Sequence, residues 1–108
     1  MKFYIYKIFK PDTDFLYIGS TNKFCKRKAS HKKNTYNRCK PSYHRLLYKT
    51  IRLNGGWDSW TMEIIEFLEV ETPRDGRIRE RYYIATMNPN LNINSPIRNL
   101  NDDLIDLL

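Results

Sequence analysis

FYIYKIFKPDTDFLYIGSTN, residues 3–22, decides how the rest of the chain is read. Residues 3–9 (FYIYKIF) are β-branched and aromatic, which favours an extended strand. Pro11-Asp12-Thr13-Asp14 carries turn chemistry. Residues 15–19 (FLYIG) supply a second strand, and the two predict a hairpin with a loop of about five residues. Side-chain alternation places Tyr4, Tyr6 and Ile8 on one face of the first strand. It places Phe15, Tyr17 and Gly19 together on the return strand.

Outward from the hairpin, Ser20-Thr21-Asn22 offers capping oxygens for a helix over about 23–34. The apolar positions of that helix are few (Phe24, Cys25, Ala29), so it is expected to be the most exposed. A loop is predicted over 34–41. Ser42 would then cap a helix over 43–53, with Leu46, Leu47, Thr50 and Ile51 facing inward. Asn54-Gly55-Gly56 stops it. Residues 60–68 (WTMEIIEFL) predict a third strand. Thr72-Pro73-Arg74-Asp75 starts a helix, with Thr as cap, Pro in the first turn and an acid three residues on. That helix runs to about Thr86 and ends before Asn88-Pro89, with Gly76 weakening its first turn. The order ββααβα predicts an α+β domain with a small three-stranded antiparallel sheet flanked by helices. Residues 1–100 form the expected domain and 101–108 a short acidic tail.

The chain has 108 residues, enough for one modest core. With 41% hydrophobic and 29% charged residues, the composition excludes wholesale disorder. No apolar run reaches the ~18–20 residues of a membrane span. The N-terminus lacks the apolar core and cleavage site of a signal peptide, so an intracellular protein is expected. Cys25 and Cys39 then read as reduced thiols. The spacing Cys25, His31, Cys39, His44 lacks a close pair of cysteines and does not suit structural zinc.

Charge points to the partner. The net charge is +7, and no Asp or Glu occurs between Phe15 and Trp57. Eleven of the 19 Lys and Arg fall in that window: Lys23, Lys26, Arg27, Lys28, Lys32, Lys33, Arg38, Lys40, Arg45, Lys49 and Arg52. A solvated surface usually mixes signs, whereas a one-signed field attracts a polyanion and releases its counterions. Lys23, Lys26, Lys28, Lys32, Lys33, Arg38, Lys40 and Arg45 are the candidate nucleic-acid contacts. Tyr36, Tyr43 and Tyr48 add rings to the same segment, Tyr48 reading equally as core.

Within this field Arg27 and His31, four apart, share one helix face that can meet Tyr6 or Tyr17. Arginine binds phosphate in a two-pronged fashion, and His or Tyr can hold or move a proton. Glu80 reads either as a surface acid paired with Arg77 or as a ligand for a hard divalent ion. Asn92, in the loop after the last helix, could brace a substrate or a neighbouring group.

Tyr4-Ile5-Tyr6, Tyr17-Ile18-Gly19, Arg27, His31, Glu80 and Asn92, with the closing pattern E-x2-Y-I-x4-P-x-L-N, resemble the GIY-YIG nuclease superfamily over about residues 3–94. The resemblance implies a DNA endonuclease with one Mg²⁺ or Mn²⁺ ion at Glu80, leaving 5′-phosphate and 3′-hydroxyl ends. It implies Tyr6 as general base, with Tyr17 orienting the water or sharing that role. Arg27 would stabilise charge on the phosphate, His31 would hydrogen-bond the water, Tyr6 or the phosphate, and Asn92 would position Glu80's neighbourhood or the phosphate backbone. One position departs: the family's first tripeptide begins with Gly, and here it is Tyr4, whose ring would crowd the site or stack on a base. A catalytically silent nucleic-acid-binding module is the competing reading. Family members act in repair, restriction and intron mobility, usually with an added recognition domain. Specificity is therefore expected from this domain itself, a homodimer or a partner protein. The Lys, Asn, Ile and Tyr bias hints at an A/T-rich viral or mobile element.

Overall fold

The structure, a computed structural model, describes residues 1–93; the expected acidic tail lies outside them. β1 (Lys2–Phe9) and β2 (Leu16–Thr21) form the predicted hairpin, and β3 (Thr61–Glu69) pairs with β1 on its other side. All pairing is antiparallel, in the order β2-β1-β3. β1 is therefore central and packed on both faces. Tyr6 and Ile8 join the main core, while Phe3 on the opposite face packs against α3 (Pro73–Met87). A register shift against β3 falls between Ile5 and Tyr6, and both residues are buried.

α1 (Phe24–Tyr36) and α2 (Leu46–Leu53) cover the Tyr6 face. The main core is Tyr6, Ile8, Leu47, Tyr48, Ile51, Trp57, Trp60, Met62 and Leu91. Phe15 packs against this cluster and stacks on Trp60 at 5.7 Å between ring centroids. Tyr48 thus belongs to the core, one of the two readings its sequence position allowed.

Three local expectations are corrected. No side chain caps α1; Thr21 Oγ1 instead accepts from the Lys23 amide in the turn before it. Cys25 and Ala29 are exposed, and the buried residues that seat α1 are His31 and Thr35, which are polar and hydrogen-bonded. Ser42 does not cap a helix: Pro41–His44 form a 3-10 turn, and α2 starts after Arg45. The break lies at Arg45, whose extended backbone (φ −64°, ψ 147°) separates the turn from α2, while Pro41 opens the turn and leaves Lys40 extended before it. The α3 start is as predicted, with the Thr72 hydroxyl accepting from the Asp75 amide.

Candidate active site

The YIG glycine has a steric reason to be glycine. A Cβ at Gly19 would lie 2.5 Å from the Tyr6 hydroxyl oxygen, so the ring of the first tripeptide needs the bare backbone of the second. Gly19 sits opposite Tyr6 in the hairpin register. The two Tyr-Ile runs are thus one interlocking unit, and they bring Tyr6 and Tyr17 toward the same helix.

That helix contributes His31, which is 1% exposed. Its Nε2 lies 2.7 Å from the Tyr6 hydroxyl and its Nδ1 lies 2.7 Å from the Tyr48 hydroxyl. The Tyr17 ring meets the imidazole edge-on at 5.9 Å between centroids. Burial, helped by Arg27 and Arg45, pushes His31 down to about 3, so the ring is neutral at physiological pH. Burial likewise raises Tyr6 above the ordinary tyrosine range, and neighbouring Tyr17 adds to this. Arg27, placed as a donor and a cation beside the Tyr6 hydroxyl, pulls the other way. Tyr17 is also raised, by burial first, and the Glu80 carboxylate is close enough to contribute.

Glu80 comes from α3, on the other face of the sheet. Its Oε1 accepts from the Ser20 hydroxyl on the edge strand β2, and Glu80 makes no ion pair among the described residues. The Arg77 pairing allowed by spacing is not formed, and Arg79 is committed to Glu66 at 2.8 Å. Glu80 is half-buried, with one carboxylate oxygen beyond the serine bond. That is a fitting donor for a hard divalent ion that takes its other ligands from water and phosphate. No cluster of three or more His, Cys, Asp or Glu side chains suited to a metal occurs among the described residues.

Of the two roles open to Asn92, the contacts show the bracing of a neighbouring group. Its amide donates to the Ile18 carbonyl at 2.7 Å and its carbonyl accepts from the Ile18 amide at 2.8 Å. Both ends of the side chain are thus spent on the β2 backbone between Tyr17 and Gly19. Asn90 does the same one step earlier, accepting from the Leu16 amide and donating to the Asp14 carbonyl, both at 3.0 Å. The Leu91 amide donates to the Leu16 carbonyl. The segment 90–92 therefore closes the free edge of β2 and fixes Tyr17. Asn90 was not singled out from sequence; its signal is the alternation Asn90-Leu91-Asn92 around a buried leucine.

Tyr4 does not crowd the hydroxyl cluster. It packs on Phe67 (5.3 Å between centroids) and Phe24 (6.2 Å), and regular pairing with Thr21 and Phe67 shows that β1 accommodates it. The eight basic candidates Lys23, Lys26, Lys28, Lys32, Lys33, Arg38, Lys40 and Arg45 are all exposed. None of them is ion-paired among the described residues. Lys23 and Lys26 line a shallow groove of about 290 Å³ with Arg27 and Ser30. Arg45 approaches Tyr17 and His31 closely enough to affect their titration. A larger depression of about 610 Å³ between the end of β3 and α3 holds none of the candidate residues.

Two hydroxyls, a guanidinium and a neutral imidazole lie on one face, and a carboxylate held only by Ser20 among the described residues comes from the other; these are groups suited to phosphodiester chemistry. The chain belongs to the GIY-YIG family: the model of the GIY-YIG catalytic domain matches residues 2–94, and the protein is a GIY-YIG-type endonuclease. Among solved structures it is similar to a mutant form of the catalytic domain of intron endonuclease I-TevI. The two are 24% identical, with a TM-score of 0.68, over 88% of this chain and 93% of that one. That likeness shows the shared α+β fold. No curated protein matches the sequence.

Proposed function

We propose that the chain cuts DNA by metal-dependent hydrolysis at the cluster of Tyr6, Tyr17, Arg27, His31 and Glu80, leaving 5′-phosphate and 3′-hydroxyl ends. The observation that carries this reading is the Glu80 carboxylate, held by Ser20 and unpaired with any cation among the described residues, beside the hydroxyl cluster. Glu80 would hold one Mg²⁺ or Mn²⁺ ion, whose chemistry is Lewis-acid stabilisation of the departing 3′-oxygen.

The chain's own residues divide the remaining work. Arg27 is placed to take a non-bridging phosphate oxygen and to counter charge developing on the phosphorus. Tyr6 is the proposed general base for the attacking water, with Tyr17 orienting that water or sharing the role. Since burial raises Tyr6, a phenolate there needs positive charge close by, and Arg27 supplies part of it. His31 is neutral and holds the Tyr6 hydroxyl in place. Asn92 acts from behind, through the backbone of β2. Lys23 and Lys26 extend the anion-binding surface along α1 from Arg27. A second copy or a partner protein would add to the specificity of this domain, in repair or in a mobile element inside a cell.

Purified protein is expected to nick or cut duplex, branched or flapped DNA with Mg²⁺ or Mn²⁺ and to stop in EDTA. Glu80→Ala and Arg27→Ala should each lower the rate by about 100-fold or more, with folding retained by circular dichroism. Undiminished cutting by both variants would remove the site. The silent-module reading drew on Tyr4, whose ring packs on Phe67 and Phe24.

A further inference from the structure

Tyr48 has no part in the site as laid out above, yet its hydroxyl is one end of a buried chain: Tyr48, His31 Nδ1, His31 Nε2, Tyr6. All three residues are 1% exposed. A neutral imidazole has one N–H and one bare nitrogen, so the chain has two proton arrangements. In the first, Nδ1–H donates to Tyr48 and Tyr6 donates to Nε2. In the second, Tyr48 donates to Nδ1 and Nε2–H donates to Tyr6.

The two differ in where they leave a hydroxyl proton without a partner. In the first arrangement that proton is on Tyr48. Its hydroxyl has no partner but His31 among the described residues, and its ring sits in the core with Leu47, Ile51, Trp57 and Trp60. A buried donor left unmade keeps the full cost of its lost hydration. In the second arrangement the spare proton is on Tyr6, which has Tyr17 and Arg27 as polar neighbours and faces the site. There the Tyr17 oxygen, water or a phosphate oxygen can accept it.

We propose that Tyr48 is a positioning residue that donates to Nδ1 of His31 in its Nε2–H tautomer, so that the Tyr6 oxygen receives a strengthened hydrogen bond from His31 and the Tyr6 proton is directed into the site. The consequence for the reaction is directional. With Nε2–H donating, the Tyr6 oxygen is favoured as a proton acceptor. With Nε2 bare, Tyr6 is a committed donor and its neutral form is stabilised. Tyr48 would thus bear on activity without touching substrate.

The activity part rests on the proposed hydrolysis, but the tautomer can be read without any cutting. Long-range ¹H–¹⁵N correlation spectra of the full chain should show His31 with a protonated Nε2 and a bare Nδ1 at neutral pH. In Tyr48→Phe, Nδ1 loses its donor and has no acceptor for a proton of its own, so Nε2 should stay protonated while the bare Nδ1 signal moves to that of a nitrogen without a hydrogen bond. The kcat of that variant should fall about 10- to 100-fold, the size seen when an outer partner of a working histidine is removed. KM should stay within about threefold, and the rise of kcat with pH should shift to higher pH, because a His31 that no longer accepts from Tyr48 is a weaker Nε2–H donor to the Tyr6 oxygen. A wild-type spectrum showing Nδ1–H overturns the proposal, and this arm stands even if Tyr48→Phe does not fold. So does a Tyr48→Phe protein whose Nδ1 signal is unmoved, since Nδ1 would then accept nothing from Tyr48. Absence of cutting by wild type, with the tautomers as stated, would count against the hydrolysis and leave the proton arrangement standing.

Discussion

His31 carries a stability consequence separate from catalysis. An unfolded histidine titrates near 6.5, whereas burial between two tyrosines holds the folded one at about 3. Between those values the unfolded chain binds a proton that the folded chain refuses. Stability is therefore complete above about pH 6.5 and is lost as pH falls toward 3, by up to about 1.4 kcal/mol per pH unit. Urea unfolding at pH 7, 6 and 5 should show a falling midpoint before most carboxylates titrate. His31→Gln should flatten that dependence, and an equal slope in the variant would show that His31 is not the group responsible. The histidine was legible as a candidate from R-x3-H, but its burial was not. α1 has few apolar residues, and what buries its inner face is Tyr48, which comes from another helix and reads equally as core or surface. Gly19 was legible only as part of a motif. Its steric role needed the register that sets it against Tyr6.

At the scale of elements, α3 is held to the sheet by a close approach that the sequence presented as a weakness. Gly76 is buried in the first turn, and a Cβ there would collide with the Phe3 ring from β1. In an exposed helix Gly→Ala gains about 1 kcal/mol. Here Gly76→Ala should instead destabilise by about 1–3 kcal/mol, because a buried aromatic ring has to move. Denaturation of Gly76→Ala, Phe3→Leu and the double variant tests the cause. The two changes should be non-additive by about 1 kcal/mol, with the alanine tolerated better once the ring is gone. Simple additivity would place the strain elsewhere. The elements themselves were readable because local signals agree with the fold: alternation in β1 and β3, and cap, Pro and acid at the start of α3. Legibility failed where a partner distant in sequence decided the outcome. Asn92 read as a loop residue that braces a substrate or a neighbouring group, and only the free edge of β2, 74 residues away, shows which atoms its amide meets.

For the whole molecule, the acid-free window from Phe15 to Trp57 becomes a surface with direction once folded. Lys23 and Lys26 share a groove with Arg27, whereas Lys28 and Lys32 are carried roughly 100–140° round α1 from Arg27 by the helical repeat. Sequence alone could not separate these lysines, since all carry the same charge in the same run. If DNA is held across the Arg27 flank, the two pairs differ in how many phosphates they neutralise. Each phosphate contact contributes about 0.9 to the slope of log affinity against log salt concentration on duplex DNA. In a Glu80→Gln background that binds without cutting, Lys23→Gln with Lys26→Gln should lower that slope by about 2. Lys28→Gln with Lys32→Gln removes the same formal charge from a chain of net charge +7 and should lower the slope by clearly less. In the active background the first pair should raise KM while leaving kcat at saturating DNA within about twofold, since these lysines bind ground and transition state alike. Equal slope losses from the two pairs would mean that the basic field acts through net charge alone. Unequal losses would mean that the chain seats the duplex along one flank of α1, with the phosphates following on from Arg27.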